Sequence, residues 1–197
     1  MRSFQLDPLA SSILEFWFGP QDSKARGAAR DVWFRKDAAY DAEIRTRFGN
    51  ATDIALAGGY GEWCVTAEGA LARVLLLDQF TRNIHRDTPT SFAGDARALS
   101  TAQDVVDRGL DHALDPYGRW FLYMPFEHAE DRTAQEQSLA LFGALAEETG
   151  LAAPLEWARK HADIIARFGR YPHRNAILGR TSTPEELAFL DQPGSRF

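Results

Sequence analysis

Apolar residues recur at helical spacing in nearly every segment of this chain, and recognisable helix caps separate the segments. Asp7 followed by Pro8 has the pattern of an N-cap with proline at the first helical position, and Gly19 ends that helix. The run Thr183–Glu186 has the pattern of a capping box, which opens a last short helix. No segment alternates apolar and polar residues as a strand would, and no hairpin turn joins two such segments. The sequence therefore predicts an all-α fold.

The length of the chain is that of one domain. Single hydrophobic cores stop growing only at about 250 residues, so we expect residues 1–197 to form a single compact, multi-helix domain. The segment Leu71–Leu77 is apolar almost all round, which is typical of a central, buried helix. The run Gly58–Gly61 is the weakest point in the chain, and it has the pattern of a loop between helices.

Charge and cysteine content exclude several functional classes. A net charge of −6 argues against a nucleic-acid-binding protein, since such proteins carry a basic face that displaces counterions. Cys64 is the only cysteine, so no intramolecular disulfide can form, and this predicts a reducing, cytoplasmic location. No apolar run approaches the ~20 residues that span a bilayer, and the N-terminus lacks the pattern of a signal peptide. We therefore expect neither a nucleic-acid nor a membrane partner.

The C-terminal run His161–Arg180 concentrates cationic side chains around a glycine and a proline. Arginine keeps its charge in proteins and presents a rigid fork of donors, so each guanidinium must face water, pair with a carboxylate or bind an anion. Gly169 and Pro172 indicate a turn, and N–H groups at the start of a turn favour anions. The run therefore predicts either an anion site or a clamp on the carboxylates of neighbouring helices. His161 lies on an apolar stripe with Trp157, so it is predicted to be a core histidine.

A second candidate follows the buried helix directly. If that helix continues, Asp78 and Arg82 are i,i+4 neighbours, and Asp78 lies on the core-facing side, where a charge is costly unless it is paired. The pair is either purely structural or a means of orienting Arg82 towards a ligand. The run Phe80–Asn83 also resembles the run Tyr171–Asn175, because each has an aromatic residue, a short spacer and then Arg-Asn.

A third candidate is the run Trp120–Asp131, in which we expect Pro125 to break an aromatic helix. Glu127, His128 and Glu130 follow the break, and these residue types act as general acids and bases or as metal ligands. The alternative is that Glu130 lies in the first turn of the next helix, where negative charge complements the helix dipole. The spacing matches no recurrent metal motif, so no metal site is predicted.

Several motifs of the chain are similar to those of one bacterial family. They are Ile13–Gly19, Leu75–Phe80 with Arg82 and Asn83, Tyr123–His128 with Glu130, Arg167–Asn175, and Leu178–Arg180. The chain resembles this family, the domain of unknown function number 924, over nearly its whole length. The resemblance implies an all-helical fold of tetratricopeptide-repeat-like topology and no established activity. This chain departs from the family pattern at Thr81, where proline is common, and at His85 and Asp87, where an aromatic residue and glycine are expected.

These observations support three hypotheses for function. In the first, a small-molecule site holds a phosphate or carboxylate with arginine and asparagine, and histidine beside glutamate transfers protons. The binding residues of this hypothesis are Arg82, Asn83, Arg170, Arg174 and Asn175. The proton-transfer residues are Glu127, His128, Glu130 and His173, and Asp78 and Gln79 would hold the binding side chains in position. In the second, a helical scaffold binds a protein or peptide partner, and in the third the motifs are structural locks. No nucleophile motif, phosphate-binding loop or dinucleotide fingerprint appears, so no cofactor is expected, and the oligomeric state stays open.

Overall fold

The structure, a computed structural model, describes residues 5–23 and 26–195, and every regular element in them is helical. The all-α prediction is therefore confirmed. The α-helices are α1 (Pro8–Phe18), α2 (Ala38–Leu56), α3 (Ala67–Val74), α4 (Thr81–Ile84), α5 (Asp95–Asp107), α6 (Pro116–His128), α7 (Arg132–Thr149), α8 (Ala153–Phe168) and α9 (Pro184–Leu190). Short 3₁₀ turns span Asp31–Trp33, Gly61–Val65, Pro89–Phe92, Asp111–Ala113 and Pro172–Arg174. Within these described ranges, no helix combines the length and the apolar character needed to cross a membrane.

The caps that the sequence predicts are present where α1 and α9 begin. The Asp7 carboxylate accepts a hydrogen bond from the Leu9 N–H at 2.8 Å. Thr183 Oγ1 accepts from the Glu186 N–H at 3.2 Å, and the Glu186 carboxylate accepts from the Thr183 N–H at 2.8 Å, so the capping box is confirmed. These bonds satisfy N–H groups that have no partner inside the helix, and they therefore determine where each helix starts.

The predicted buried helix exists, but one of its turns is wider than an α-helical turn. α3 continues into a π-helical turn, Leu75–Phe80, in which all six residues are buried, and then into α4. The Thr81 N–H donates to the Leu76 carbonyl, five residues back, which is the hydrogen bond that defines a π turn. A sequence pattern with 3.6 residues per turn does not reveal such a turn, because it changes the spacing over a few residues only.

Gly94 allows α5 to begin in direct contact with this π turn. A Cβ atom at Gly94 would overlap the backbone carbonyl of Leu77, so no side chain fits there. The close approach brings Asp95, the first residue of α5, to the Arg82 guanidinium in α4. A glycine at a helix start thus decides which carboxylate meets a candidate site residue.

Contacts along the chain divide it into two compact units. They are residues 1–86 with 90–125, and residues 87–89 with 126–197. The core of the first unit is rich in aromatic rings that pack against one another, such as the buried Trp17 and Phe121. In the second unit, α7 and α8 pack along each other, and Ile164, Ile165 and Tyr171 form a buried cluster. The single domain over residues 1–197 stays a prediction.

Two local predictions are wrong. Pro125 does not break its helix, because α6 continues through it to His128. The proline removes one backbone donor, but every residue from Phe121 to Glu127 is buried, and this packing outweighs the loss. Trp157 does not belong to the apolar stripe of α8: it is 43% exposed, and Ala158 takes the buried position instead.

Candidate functional site

The predicted Asp78–Arg82 pair is present in the first unit. Asp78 is fully buried, and its Oδ1 lies 2.9 Å from Arg82 Nη1. Asp95 binds the same guanidinium, with Oδ1 at 2.8 Å from Nη1, and Gln79 Nε2 donates to the second Asp78 oxygen at 2.6 Å. Arg82 therefore faces two carboxylates, which makes the local charge negative and disfavours an anionic ligand. These contacts favour a structural role for the Asp78–Arg82 pair, and Gln79 supports the pair through its hydrogen bond to Asp78.

Asn83 also supports an ion pair, the one between Asp41 and Arg86. Its Nδ2 donates to Asp41 Oδ1 at 2.7 Å, and Arg86 binds the two oxygens of the same carboxylate at 2.5 and 2.9 Å. Asp41 belongs to α2, so these charge-assisted bonds tie the chain around the end of α4 to α2. The contacts of Arg82 and Asn83 therefore do not support the ligand-binding roles that the sequence predicts for them.

In the second unit, the predicted anion-binding turn holds a carboxylate of the protein itself. Glu130 Oε1 accepts from the N–H of Tyr171, the residue before the turn Pro172–Arg174, at 2.7 Å. Arg180 donates to Oε1 at 2.9 Å and to Oε2 at 2.6 Å. Burial alone would raise the pKa of Glu130, but the bonds from Arg180 and Tyr171 lower that pKa below its usual range. Glu130 precedes Asp131, the N-cap of α7, so it does not lie in the first turn of that helix.

A carboxylate also matches Arg170. Its Nε and Nη2 donate to the two oxygens of Glu186 at 2.6 and 2.8 Å, and these bonds lower the pKa of Glu186 to about 2. Asn175 joins the two pairs, because its Nδ2 donates to Glu186 at 3.2 Å and its Oδ1 accepts from Arg180 Nε at 2.9 Å. Together these form a network that we name the clamp: Glu130, Arg170, Asn175, Arg180 and Glu186. For Arg170, the structure therefore favours the clamping alternative.

Arg170 and Asn175 of the clamp lie on either side of the turn Pro172–Arg174. His173 and Arg174 of this turn belong to a group of titratable residues, which we name the His–Arg cluster. Its members are Glu127, His128, His161, Tyr171, His173 and Arg174. The ring centroids of His128 and His161 are 6.2 Å apart, and the Tyr171 ring lies 5.5 Å from His161 and 5.6 Å from His173. The Arg174 guanidinium lies 4.5 Å from the centroid of the Tyr171 ring. The fold thus brings together four predicted residues and adds His161 and Tyr171 to them.

Burial decides the protonation of two of these histidines. Burial, and next the interaction with His128, lower the pKa of His161 to about 3. Burial, and next Arg174, lower the pKa of His173 to about 4. Both imidazoles are therefore neutral at pH 7. His161 Nδ1–H donates to the Trp157 carbonyl at 2.9 Å, which leaves Nε2 as an acceptor and confirms the predicted core histidine.

Tyr171 holds the end of α6 beside this cluster. Its hydroxyl donates to the Glu127 carbonyl at 2.5 Å and accepts from Gln135 Nε2 at 3.0 Å. Gln135 Nε2 also lies 2.9 Å from the Glu127 carbonyl and 2.8 Å from the Ala129 carbonyl. Helix ends leave such carbonyls without a helical partner, so these two side chains complete the end of α6.

The sequence did not indicate four residues of this arrangement as site residues: Tyr171, Gln135, Arg180 and Glu186. Arg180 was visible as one arginine of the cationic run and as part of a family motif, and Glu186 only as part of a capping box. Their partners lie 50 residues away for Arg180 and 16 for Glu186. No local spacing rule connects residues so far apart. The sequence signal for these ion pairs was that glutamates and arginines occur in similar numbers near these motifs.

The His–Arg cluster offers a defined set of chemical groups. It contains one guanidinium, three imidazoles, one carboxyl group and a phenol whose pKa burial raises. Such a set can bind an anion, donate and accept hydrogen bonds, and move a proton between imidazole and carboxylate. Among the described residues, no three His, Cys, Asp or Glu side chains are placed to hold a metal ion.

Comparison with known proteins agrees with this fold. No curated protein matches the sequence. The solved structure of a protein of unknown function from Agrobacterium tumefaciens superimposes with a TM-score of 0.82 and is 41% identical, over 93% of this chain and 97% of that chain. A family model described as a bacterial protein of unknown function (DUF924) matches residues 13–194. Because that match covers almost the whole sequence, the chain belongs to this bacterial family.

Proposed function

We propose that the His–Arg cluster binds a small anionic molecule, and that a carboxylate suits it better than a phosphate. The observation that carries the proposal is that His161, His173 and the buried Arg174 lie against one tyrosine ring, and that a third of the chain's five histidines, His128, lies beside His161. A guanidinium supplies charge and directed donors for an anion. The single Cys64 supports a cytoplasmic setting for this function.

The charge balance of the region favours an anion with a single negative charge over one with a higher charge. Three arginines and three glutamates line it: Arg170, Arg174 and Arg180, with Glu127, Glu130 and Glu186. Arg170 and Arg180 pair with Glu186 and Glu130, and Arg174 and Glu127 add one guanidinium and one carboxyl group, so the region has no excess of arginine over glutamate. A phosphate group brings about −1.5 to −2 at pH 7, which a region with equal numbers of arginines and glutamates accommodates less well than the single charge of a carboxylate.

The imidazoles give this site its proton chemistry. His173 is neutral at pH 7 and half-buried, so it can donate to or accept from a ligand. In an enzymatic version of the proposal, His128 or His173 exchanges a proton with the substrate, and Glu127 is the partner carboxylate. Glu130 is less suited to that task than the sequence predicts, because both of its oxygens accept hydrogen bonds and its pKa is lowered.

A thermal-shift titration with small carboxylates and phosphorylated metabolites tests the proposal. A ligand at about a hundred times its Kd adds about 2.7 kcal/mol to folding stability, which is roughly 5 to 10 °C in Tm for a chain of this size. We expect at least one monocarboxylate to give such a shift. Arg174→Ala should abolish it, and Arg174→Lys should keep part of it, since lysine retains the charge but loses the fork.

Arg35→Ala is the matched control, because Arg35 is an exposed arginine that pairs with Asp37 and belongs neither to the cluster nor to the clamp. Each shift is measured against the variant's own Tm in the absence of ligand, so a change in stability does not affect the comparison. The proposal is wrong if Arg174→Ala retains every shift, or if phosphates stabilise the protein more than carboxylates do.

The second candidate function is a helical scaffold that binds a protein or peptide, with the Arg/His motifs purely structural. An open groove of about 480 Å³ along α7 and α8 favours it, and Leu139, Ala146 and Leu155 are among its lining residues. The tetratricopeptide-repeat-like topology that the resemblance implies is part of this proposal, because such arrays bind partners in grooves. A partner lost with Leu155→Glu and retained with Arg174→Ala would support the scaffold; the reverse result would support the small-molecule site.

A further inference from the structure

We propose that the Tyr171 N–H and the Arg180 guanidinium form a carboxylate-binding site, the cradle. The Glu130 side chain that fills this cradle exchanges with the carboxylate of an external molecule. The ligand class is therefore a small carboxylic acid, or a larger metabolite that carries a carboxylate at one end.

The geometry of the cradle is that of a carboxylate receptor. Three donors converge on two oxygens: the Tyr171 N–H at 2.7 Å, Arg180 Nη2 at 2.9 Å and Arg180 Nη1 at 2.6 Å. A planar guanidinium that binds both oxygens, together with a backbone N–H, selects a planar anion with two equivalent oxygens. None of these donors requires that the carboxylate belong to a glutamate.

Contacts outside Glu130 hold the cradle in shape. Arg180 Nε donates to Asn175 Oδ1 at 2.9 Å, and Arg180 Nη2 donates to the Tyr171 carbonyl at 3.2 Å. Asn175 is 1% exposed and donates to Ser182 Oγ at 3.0 Å. Loss of the Glu130 carboxylate would therefore leave a preorganised anion site, which binds without a further ordering cost.

The position of Glu130 allows its side chain to move out of the cradle. It lies between His128, the last residue of α6, and Asp131, the N-cap of α7, so its side chain can rotate without breaking a helical hydrogen bond. The side chains of Glu130 and Arg180 are 23% and 24% exposed, so small solutes reach the pair. A tethered group competes with an external one at an effective concentration on the order of millimolar. The wild-type protein should therefore bind external carboxylates only weakly.

The neighbours of the cradle connect it with the His–Arg cluster. Burial and Arg174 lower the pKa of His173, and Glu130 partly opposes that shift; Arg174 also adds, after Arg180 and Tyr171, to the lowering of the Glu130 pKa, so the cradle carboxylate is within electrostatic reach of both residues. A ligand carboxylate in the cradle would keep that interaction and present the rest of the molecule to the cluster. The inference does not depend on the proposed function, since Arg180 rather than Arg174 holds the ligand.

The test compares the Tm of Glu130→Ala in sodium formate and in sodium chloride at equal ionic strength. We expect formate to raise the Tm of this variant in a saturable way, while chloride does not. The half-saturating formate concentration should be at least about tenfold lower than for the wild type, because the tethered competitor is gone. If Glu130→Ala is unfolded in chloride, formate should restore its folded circular-dichroism spectrum.

Two further variants complete the test. Glu130→Ala combined with Arg180→Ala should lose the formate response. Glu185→Ala, which removes an exposed glutamate that pairs with Arg167 at 3.0 Å, should behave as the wild type does. An equal response of Glu130→Ala to formate and chloride overturns the inference, as does a formate response that survives the loss of Arg180. A formate response that persists in Glu130→Ala with Arg174→Ala supports the cradle even where the proposed function fails.

Discussion

At the residue scale, three arginines of one short run have three different environments. Arg180 binds Glu130, Arg170 binds Glu186, and Arg174 lies over the ring of Tyr171. The guanidinium group allows all of these contacts, and the acid or ring opposite it decides between them. The role of an arginine is therefore a property of its partner, and that partner lies 50 residues away for Arg180 and 16 for Arg170, but in the same turn for Arg174.

Removal of the Tyr171 hydroxyl tests how much a single buried group contributes. Tyr171→Phe should lower the free energy of unfolding by about 1 to 2 kcal/mol, because it removes a donor to the Glu127 carbonyl and an acceptor for Gln135 in a fully buried position. Urea denaturation measures the change. Tyr117→Phe is the control, since Tyr117 is half-buried and its ring makes aromatic contacts that phenylalanine can keep. Equal losses in the two variants would contradict the expectation.

At the scale of the elements, close backbone contact and helix ends position the candidate residues. The contact of Gly94 with the π turn brings Asp95 to Arg82. The two Arg-Asn runs also have a common role, since Asn83 supports the Arg86–Asp41 pair and Asn175 joins two ion pairs. The similarity between the runs thus corresponds to a similar use of asparagine beside an ion pair.

Two glycine substitutions separate steric demand from helix propensity. Gly94→Ala should lower the free energy of unfolding by about 1 to 3 kcal/mol, because the added Cβ meets the backbone of Leu77, which cannot move aside cheaply. Gly143→Ala should raise it by about 0.5 to 1 kcal/mol, because this position lies inside α7 and a Cβ there meets nothing within 4 Å. Thermal and urea denaturation give both values. Changes of the same sign would refute the steric account of Gly94.

At the scale of the whole molecule, stability depends on pH through groups that folding has buried or paired. Carboxylates such as Glu186 are kept ionised by arginine, so their contribution is lost only as the pH falls below about 4.5 towards 2. The buried histidines respond in a different window, because folding keeps them neutral. Between about pH 7 and pH 5, the histidines therefore dominate this dependence.

The free energy of unfolding should fall as the pH decreases from about 7 to about 5. His161 and His173 stay neutral in the folded state, with pKa values of about 3 and 4, whereas in the unfolded chain they take up a proton near pH 6.5. The unfolded state then binds more protons, so each histidine lowers stability by up to about 2 kcal/mol over this range. Urea denaturation at several pH values measures the slope.

Substitution identifies the histidines responsible. His161→Gln and His173→Gln should each flatten the slope, whatever their effect on the absolute stability. His112→Gln is the comparison variant, because the side chain of His112 is 64% exposed in the folded protein, whereas those of the other two histidines are largely buried. A slope that neither buried histidine affects would show that other groups control the pH dependence.

Much of the fold could be predicted from the sequence, and the site only in part. The capping box at Thr183 and the Asp78–Arg82 pair are local, so spacing along one helix was enough to predict them. The predicted helix break at Pro125 is wrong, because burial of the neighbouring residues outweighs the tendency of proline to end a helix. The glycine that the family pattern has at position 87 also has a physical explanation, since Asp87 has a φ of 59° here, in the left-handed region that glycine adopts most readily.

The sequence alone determined that this protein is helical, where several helices begin and end, and which motifs assign it to its family. These properties depend on residues within a few turns of one another, where backbone geometry is known in advance. Only the tertiary structure decided which charges neutralise each other. The neighbours of Glu130 in sequence do not show which cation its carboxylate meets, and only the fold brings Arg180, 50 residues away, to it. Electrostatic roles depend on distance in space, and only folding sets that distance.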